Sequence, residues 1–512
     1  MAAFSNPVAF FRELMAPSPE LWLESHGIDP SSQAKVFSRG YTIDKLNSRT
    51  AKGFLVAFDA FLKTNKITGP LPGRVRLCIT LQCQDESKEL SKKCIKNLYK
   101  VLNRIGFCRL DLQLEGMMDR NCGTFLSQFE RSPEILKFSK NEIDESSSTG
   151  LARLLQREPG IKRLELRVDS VTPLALTILG AALKTMTTLE SLGLDKLTLT
   201  EDQLDTFEDT MRHARFGTVV FDSVHVKSDG EITADMKGRW ERILSQNIYL
   251  QTCVITCDMT ERTPDESQLV HPFVQALPSA TALTRFDLAY AKLSPEERQL
   301  FVEGIKSNTT LESLTLYQLD GLSVGDMAQV LQNNSILKSM ELTDLPSSAE
   351  QAHSLADSLH RNTTLTDLRL LDCNLMDDSM GAFASMLRVN TTLLSLSFFR
   401  NPIGAPGFLE AFRALTENNT LSSMAFSFWV DKQIVAAITS SPDFLPIINQ
   451  LKQFNSAFAP ILPAGLTEES FEAVPDEALH PSAKECLRFM ARNAHNKKMR
   501  ELTLLTALLQ AR

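Results

Sequence analysis

The residues able to do chemistry in this chain fall into two groups, a few nucleophiles and a set of aromatic and arginine side chains. Nine cysteines stand at 78, 83, 94, 108, 122, 253, 257, 373 and 486 with no CxxC pair, which reads as reduced thiols in a cytosol. Cys486, between His480 and His495, could give a thiolate–imidazole pair, but a buried cysteine on a helix explains the same residues without catalysis. No GxxxxGK[ST], GxSxG or HExxH occurs, and no Cys/His set has zinc spacing. The chain is therefore expected not to be an enzyme and to need no cofactor or metal, the alternative being activity confined to one end. The second group is Tyr290, Tyr317, Leu371, Phe399, Phe428 and Trp429 with Arg369, Arg400 and Asp372. Aromatic and arginine side chains on one exposed face have the composition of a protein-binding hot spot.

What could place those residues on one face is a repeat. Five segments superpose: Asn308-Thr-Thr-Leu-Glu-Ser-Leu-Thr-Leu316, Asn334-Ser-Ile-Leu-Lys-Ser-Met-Glu-Leu342, Asn362-Thr-Thr-Leu-Thr-Asp-Leu-Arg-Leu370, Asn390-Thr-Thr-Leu-Leu-Ser-Leu-Ser-Phe398 and Asn418-Asn-Thr-Leu-Ser-Ser-Met-Ala-Phe426. The first apolar position recurs at Phe107, Pro133, Ile161, Leu189, Phe216, Leu250, Leu283, Leu311, Leu337, Leu365, Leu393 and Leu421. The intervals are 26, 28, 28, 27, 34, 33, 28, 26, 28, 28 and 28 residues; the register is plainest from Leu283 onward and weakest at 107, 133, 216 and 250.

Each unit reads as a short strand followed by a helix. Alternation such as Leu314-x-Leu316 turns two apolar side chains inward from a strand. Ser294-Pro295-Glu296-Glu297, Ser348 with Gln351, and Thr200 with Gln203 are capping boxes that open helices. Asn308, Asn334, Asn362 and Asn390 stand where each helix must stop, and are expected to take the left-handed conformation there. One unit cannot bury its own apolar face, so the core exists only through stacking. The long intervals place excess polar residues at Val224 to Lys237 and Asp258 to Gln268, which should bulge from the rim between strand and helix.

In this register Leu365, Leu368, Leu370, Cys373 and Leu375 match LxxLxLxxCxL, and Leu393, Leu396, Phe398, Asn401 and Ile403 repeat it with Asn in the Cys slot. The sequence thus resembles the leucine-rich repeat proteins of the ribonuclease-inhibitor type. Leu197, Leu319 and Leu345 depart from the pattern in that slot. The resemblance covers roughly 106 to 430 and implies an α/β solenoid, a horseshoe with a parallel concave sheet and convex helices. Cys83-Gln84-Asp85 is similar to the CxD of bacterial ubiquitin ligases with such repeats, but their shorter repeat and large catalytic domain are missing. Asn-x-Thr/Ser triplets at 308, 333, 362, 390 and 418 coincide with the helix-to-strand turn, so the repeat explains them without glycosylation.

The expected organisation is an N-terminal capping region of mixed α/β structure at 1–105, the solenoid at 106–430 and a helical C-terminal region at 431–512. With 54 Lys+Arg against 62 Asp+Glu the chain carries -8, which argues against a nucleic-acid partner. No stretch approaches 18 uninterrupted apolar residues, so no membrane span is expected. The function these features imply is a cytoplasmic scaffold or inhibitor that binds a protein partner on the concave face. The alternative is a secreted bacterial effector that binds a host protein. The patch would be lost as a surface if the C-terminal helices folded over it.

Overall fold

The computed structural model describes residues 39–43, 77–82, 107–113, 119–130, 132–157, 160–227, 234–257, and 267–426 apart from 416, 419 and 422, with single positions at 56 and 442. The segments expected to be helical after 431, the region about Cys486, and Phe428 and Trp429 lie outside the described residues. The chain divides into two compact units, Met1–Asp258 with Arg262–Leu269 and Met259–Glu261 with Val270–Arg512.

In the first unit, β1 (Arg39–Ile43), β2 (Leu77–Gln82), β3 (Phe107–Gln113), β4 (Ile135–Ile143), β5 (Arg163–Val171), β6 (Ser191–Asp195), β8 (Thr218–Asp222) and β10 (Thr252–Thr256) form one ladder in that order. Every adjacent pair is parallel. Parallel neighbours need a crossover, supplied by the helices α1 (Asp119–Ser127), α2 (Glu145–Leu155), α3 (Pro173–Thr185), α4 (Leu204–His213) and α5 (Ala234–Gln246). Leu110, Leu136, Leu164, Leu192, Val219 and Cys253 are register partners from strand to strand. The units opening at 107, 133, 216 and 250, weak in sequence, therefore occupy the same register as the strong ones. Valine and cysteine fill the inward slot as well as leucine does, because the slot selects for burial and volume.

The second unit starts within α6 (Ser267–Ala276) and runs β11 (Arg285–Ala289), α7 (Pro295–Ser307), β12 (Ser313–Tyr317), α8 (Val324–Asn333), β13 (Ser339–Thr343), α9 (Ala349–Arg361), β14 (Asp367–Leu371), α10 (Asp377–Val389), β15 (Ser395–Phe398), α11 (Ala405–Leu415) and β16 (Ser423–Phe426). Its strands are parallel, and Phe286, Leu314, Met340, Leu368, Leu396 and Met424 form one buried row. The capping boxes of Ser294 with Glu297 and Ser348 with Gln351 open α7 and α9 as the sequence predicts. The Thr200–Gln203 box opens a single 3-10 turn that leads into α4.

Two expectations are corrected. The asparagines do not take the left-handed conformation: Asn308, Asn334, Asn362 and Asn390 have φ of -68°, -85°, -72° and -71° with ψ near 130°, which is extended backbone. Positive φ falls instead just after the strand, at Lys196, Ser223, Tyr290, Gln318, Asp344, Asp372 and Arg400, the eighth residue of each unit. Nor is the insertion after Val224 only a polar bulge. His225–Lys227 (β9) pairs with Thr198–Thr200 (β7), which pairs with the end of β5 in a second short ladder, and Val224 and Val226 are buried.

The asparagines matter because they are buried and fully bonded. Asn362 Nδ2 donates to the Leu331 and Asn334 carbonyls, both at 3.1 Å, while its Oδ1 accepts from the Thr364 and Leu365 amides at 3.0 and 2.8 Å. Asn308, Asn390 and Asn418 do the same with their own neighbours, and Asn334 does so with a single carbonyl, Ile305 O. One side chain thus satisfies the end of the preceding helix and the start of its own strand. An amide engaged on both sides has no free nitrogen to carry a glycan. The Cys/Asn slot works similarly: Asn401 Oδ1 accepts from the Cys373 and Leu375 amides at 2.9 and 3.0 Å. Where Leu stands in that slot, backbone groups bond directly, as Leu293 N to Asp320 O at 2.8 Å.

Candidate functional site

A strand whose alternate residues are buried must present the others on the opposite face. In the second unit these are the third, fifth and seventh residues of each repeat, and burial follows that alternation in β12, β13 and β14. The seventh-residue row runs Ala289, Tyr317, Thr343 and Leu371 as register partners, with Phe399 beside Leu371 through the Asp372 N to Phe399 O bond of 2.9 Å. Tyr317, the last residue of β12, and Phe399, which directly follows β15, are 37% and 40% exposed, large values for aromatic side chains.

The expected site residues are brought together as two clusters. Tyr290 and Tyr317 stack edge to face with ring centroids 4.9 Å apart, and the Tyr290 amide donates to the Tyr317 carbonyl at 2.9 Å. Hydrogen bonding to Tyr317 holds the Tyr290 phenol above its usual pKa. Leu371, Phe399 and Arg400 form the other cluster, with the Arg400 guanidinium 5.9 Å from the Phe399 ring centroid, a cation–π distance. Thr343 separates the two. Arg369 sits one row away, in the fifth-residue row, where it is paired with Glu341 at 3.3 Å. Both partners are solvated, so the pair contributes little to stability and leaves that row locally neutral.

Sequence reasoning missed Glu341 as the partner of Arg369 and Asp344 as a member of the strip. The signal was present in the spacing, since Asp344 precedes Asp372 by one repeat. Asp344 and Asp372 both hold positive φ, and each donates its amide to the next strand, to Leu371 O and Phe399 O at 2.9 Å.

The first unit presents a different face. Lys137 pairs with Glu165, Arg167 with Asp195 at 3.4 Å, and Gly193 and Val220 follow Glu165 in the fifth-residue row. Burial, with Asp222 opposite on the next strand, holds the Asp195 carboxyl above the usual carboxylate range. No exposed aromatic residue occurs on the described part of this face. Cys122 and Cys373 are free, and burial pushes both thiols up to about 12, far from a reactive thiolate.

Repeat register, parallel ladder and returning helices together define a leucine-rich repeat solenoid of the α/β class. No protein-family model matches the chain, and no curated protein matches its sequence. Among solved structures, the chain is similar to actin-binding site 2 of leiomodin-1, at 20% identity over 38% of this chain and 100% of that one, with a TM-score of 0.26. It is similar to an internalin of Listeria monocytogenes, at 14% identity over 67% and 85% with a TM-score of 0.33. It is also similar to the complex of Rad7 and Elc1 in yeast, at 13% identity over 78% and 88% with a TM-score of 0.40. Among the described residues no helix is long and apolar enough to cross a membrane.

Proposed function

We propose that the chain is a non-catalytic scaffold or inhibitor that holds a protein partner on the sheet face of its second unit. The observation that carries this reading is the exposure of Tyr317 and Phe399 in one row of a sheet whose other side is closed by a continuous apolar core. Large aromatic rings supply contact area at low entropic cost, and the paired strands hold their backbone rigid before binding. The repeats belong to the ribonuclease-inhibitor type in this reading, supported by the 28-residue period, a helix in each crossover from β3 onward and the paired Cys373 and Asn401 slots. A cytoplasmic setting is supported by the free thiols Cys122 and Cys373.

The test is capture from lysate by the intact protein and by the Tyr317→Ala, Phe399→Ala variant, read by mass spectrometry. The variant should keep the circular dichroism spectrum of the parent and lose the captured partner. Full capture by a folded double variant sinks the proposal.

A further inference from the structure

We infer that the partner presents an extended cationic segment to this face, with a Lys or Arg flanked on alternate residues by apolar side chains. This rests on the protein-binding reading above and names the chemistry of its partner. On the two strands that separate Tyr317 from Phe399, Asp344 and Asp372 immediately follow the seventh-residue row. Neither carboxylate has a hydrogen bond or ion pair among the described residues, whereas the acids nearby are engaged: Glu341 with Arg369, Asp287 with Arg285, Asp320 with Lys292.

The backbone alone does not explain two aspartates there. Positive φ favours Asp, but Lys196, Ser223, Gln318 and Arg400 hold the same conformation at the same repeat position. Placing two like charges on neighbouring strands opposes folding. A cation bound between them would turn that repulsion into attraction, and the flanking rings would add cation–π and apolar contact.

The dimensions fit an extended chain. Tyr317 and Phe399 are three strands apart, about 14 Å at the usual strand spacing. In an extended peptide, residues four apart are separated by about 13 Å and point the same way, with the residue midway between them on that side too. Apolar residues over the two rings would therefore set a central Lys or Arg between Asp344 and Asp372.

The experiment uses the full chain and two fluorescein-labelled peptides, Ser-Leu-Ser-Arg-Ser-Leu-Ser and the same sequence with Glu in place of Arg. Anisotropy is followed to millimolar peptide at low salt. Asp344→Asn with Asp372→Asn removes the two charges and keeps side chains that tolerate positive φ. Asp195→Asn with Asp222→Asn removes the same number of charges from the other unit. The Arg peptide should bind the parent and the Asp195/Asp222 variant alike and bind the Asp344/Asp372 variant about tenfold more weakly, with no saturable binding of the Glu peptide. Absence of Arg-peptide binding, equal binding of the Glu peptide, an unchanged Asp344/Asp372 variant, or equal loss in both variants overturns the inference. If any of these occurs while Tyr317→Ala, Phe399→Ala still abolishes partner capture, the interaction face stands and only its proposed partner chemistry falls.

Discussion

The two units carry the same strand register but close their turns by different means. In the second, Asn308, Asn334, Asn362, Asn390 and Asn418 each seal two backbone segments with one buried amide. In the first, the equivalent position is Met186 in one repeat and His213 in the next, and only Asn247 makes the full set of bonds, to Met211 O, Ala214 O, Tyr249 N and Leu250 N. Two helix glycines contrast as well. Gly123 and Gly150 let α1 and α2 approach until a Cβ on Gly150 would lie 2.5 Å from the Gly123 carbonyl oxygen, whereas a Cβ on Gly381 of α10 would meet nothing within 4 Å. A repeat is thus legible in sequence where one side chain does the same polar job every time, and obscure where neighbouring units solve it separately.

The largest expected effect bears on that contrast. Asn362→Ala leaves two amides and two carbonyls at a buried turn without their partner and should destabilise by about 3 kcal/mol in urea unfolding. Thr188→Ala removes a single bond to Ile161 O in the first unit and should cost about 1 kcal/mol or less. Equal losses would break the distinction between the units.

Gly150→Ala should come next, at about 2 kcal/mol, because backbone of α1 would have to move. A melting temperature equal to the parent's would show that the two helices separate freely.

A third test exploits a buried cation in the first unit. Lys140 is 5% exposed, at the register position of the buried Val168, and its Nζ donates to Ser147 Oγ at 3.2 Å. Burial holds its pKa below the usual lysine range against the pull of Asp144 and Glu142. The unfolded chain then keeps a proton that the folded chain releases earlier, so this group's contribution to stability rises with pH between the folded and unfolded values. Lys140→Met should abolish that rise and raise stability at neutral pH by about 1 kcal/mol. Denaturant midpoints at several pH values, parallel for parent and variant, would contradict it.

The smallest effect is expected at Gly381. Its open surroundings let Gly381→Ala add helix propensity without a clash, for a gain of roughly 0.5–1 kcal/mol in thermal or urea unfolding. A loss there would erase the contrast with Gly150.

Much of the fold could be read directly. LxxLxL gave strand, inward face and register together, and Ser294 and Ser348 with their partners at the third helical residue gave helix starts. Leu197, Leu319 and Leu345 depart from the Cys/Asn slot, yet all are buried. The asparagine conformation was misread because a left-handed helix stop and a buried cross-repeat amide select the same residue. The candidate site was partly legible: the Tyr317, Leu371 and Phe399 row follows from the period, but the pairing of Arg369 with Glu341 and the absence of an ion pair to the Asp344 carboxylate among the described residues do not.

By itself the sequence determined the class of fold, since a period near 28 with alternating leucines allows each unit to bury its apolar face only against the next. It also determined which residues share a row, because strands in parallel register convert equal repeat position into spatial adjacency. Only the tertiary structure decided where the left-handed residues fall, which charges on the sheet are neutralised and which are left unpaired, and that the asparagines close the core. Those properties depend on distances between atoms about 28 residues apart, and no local pattern encodes such distances.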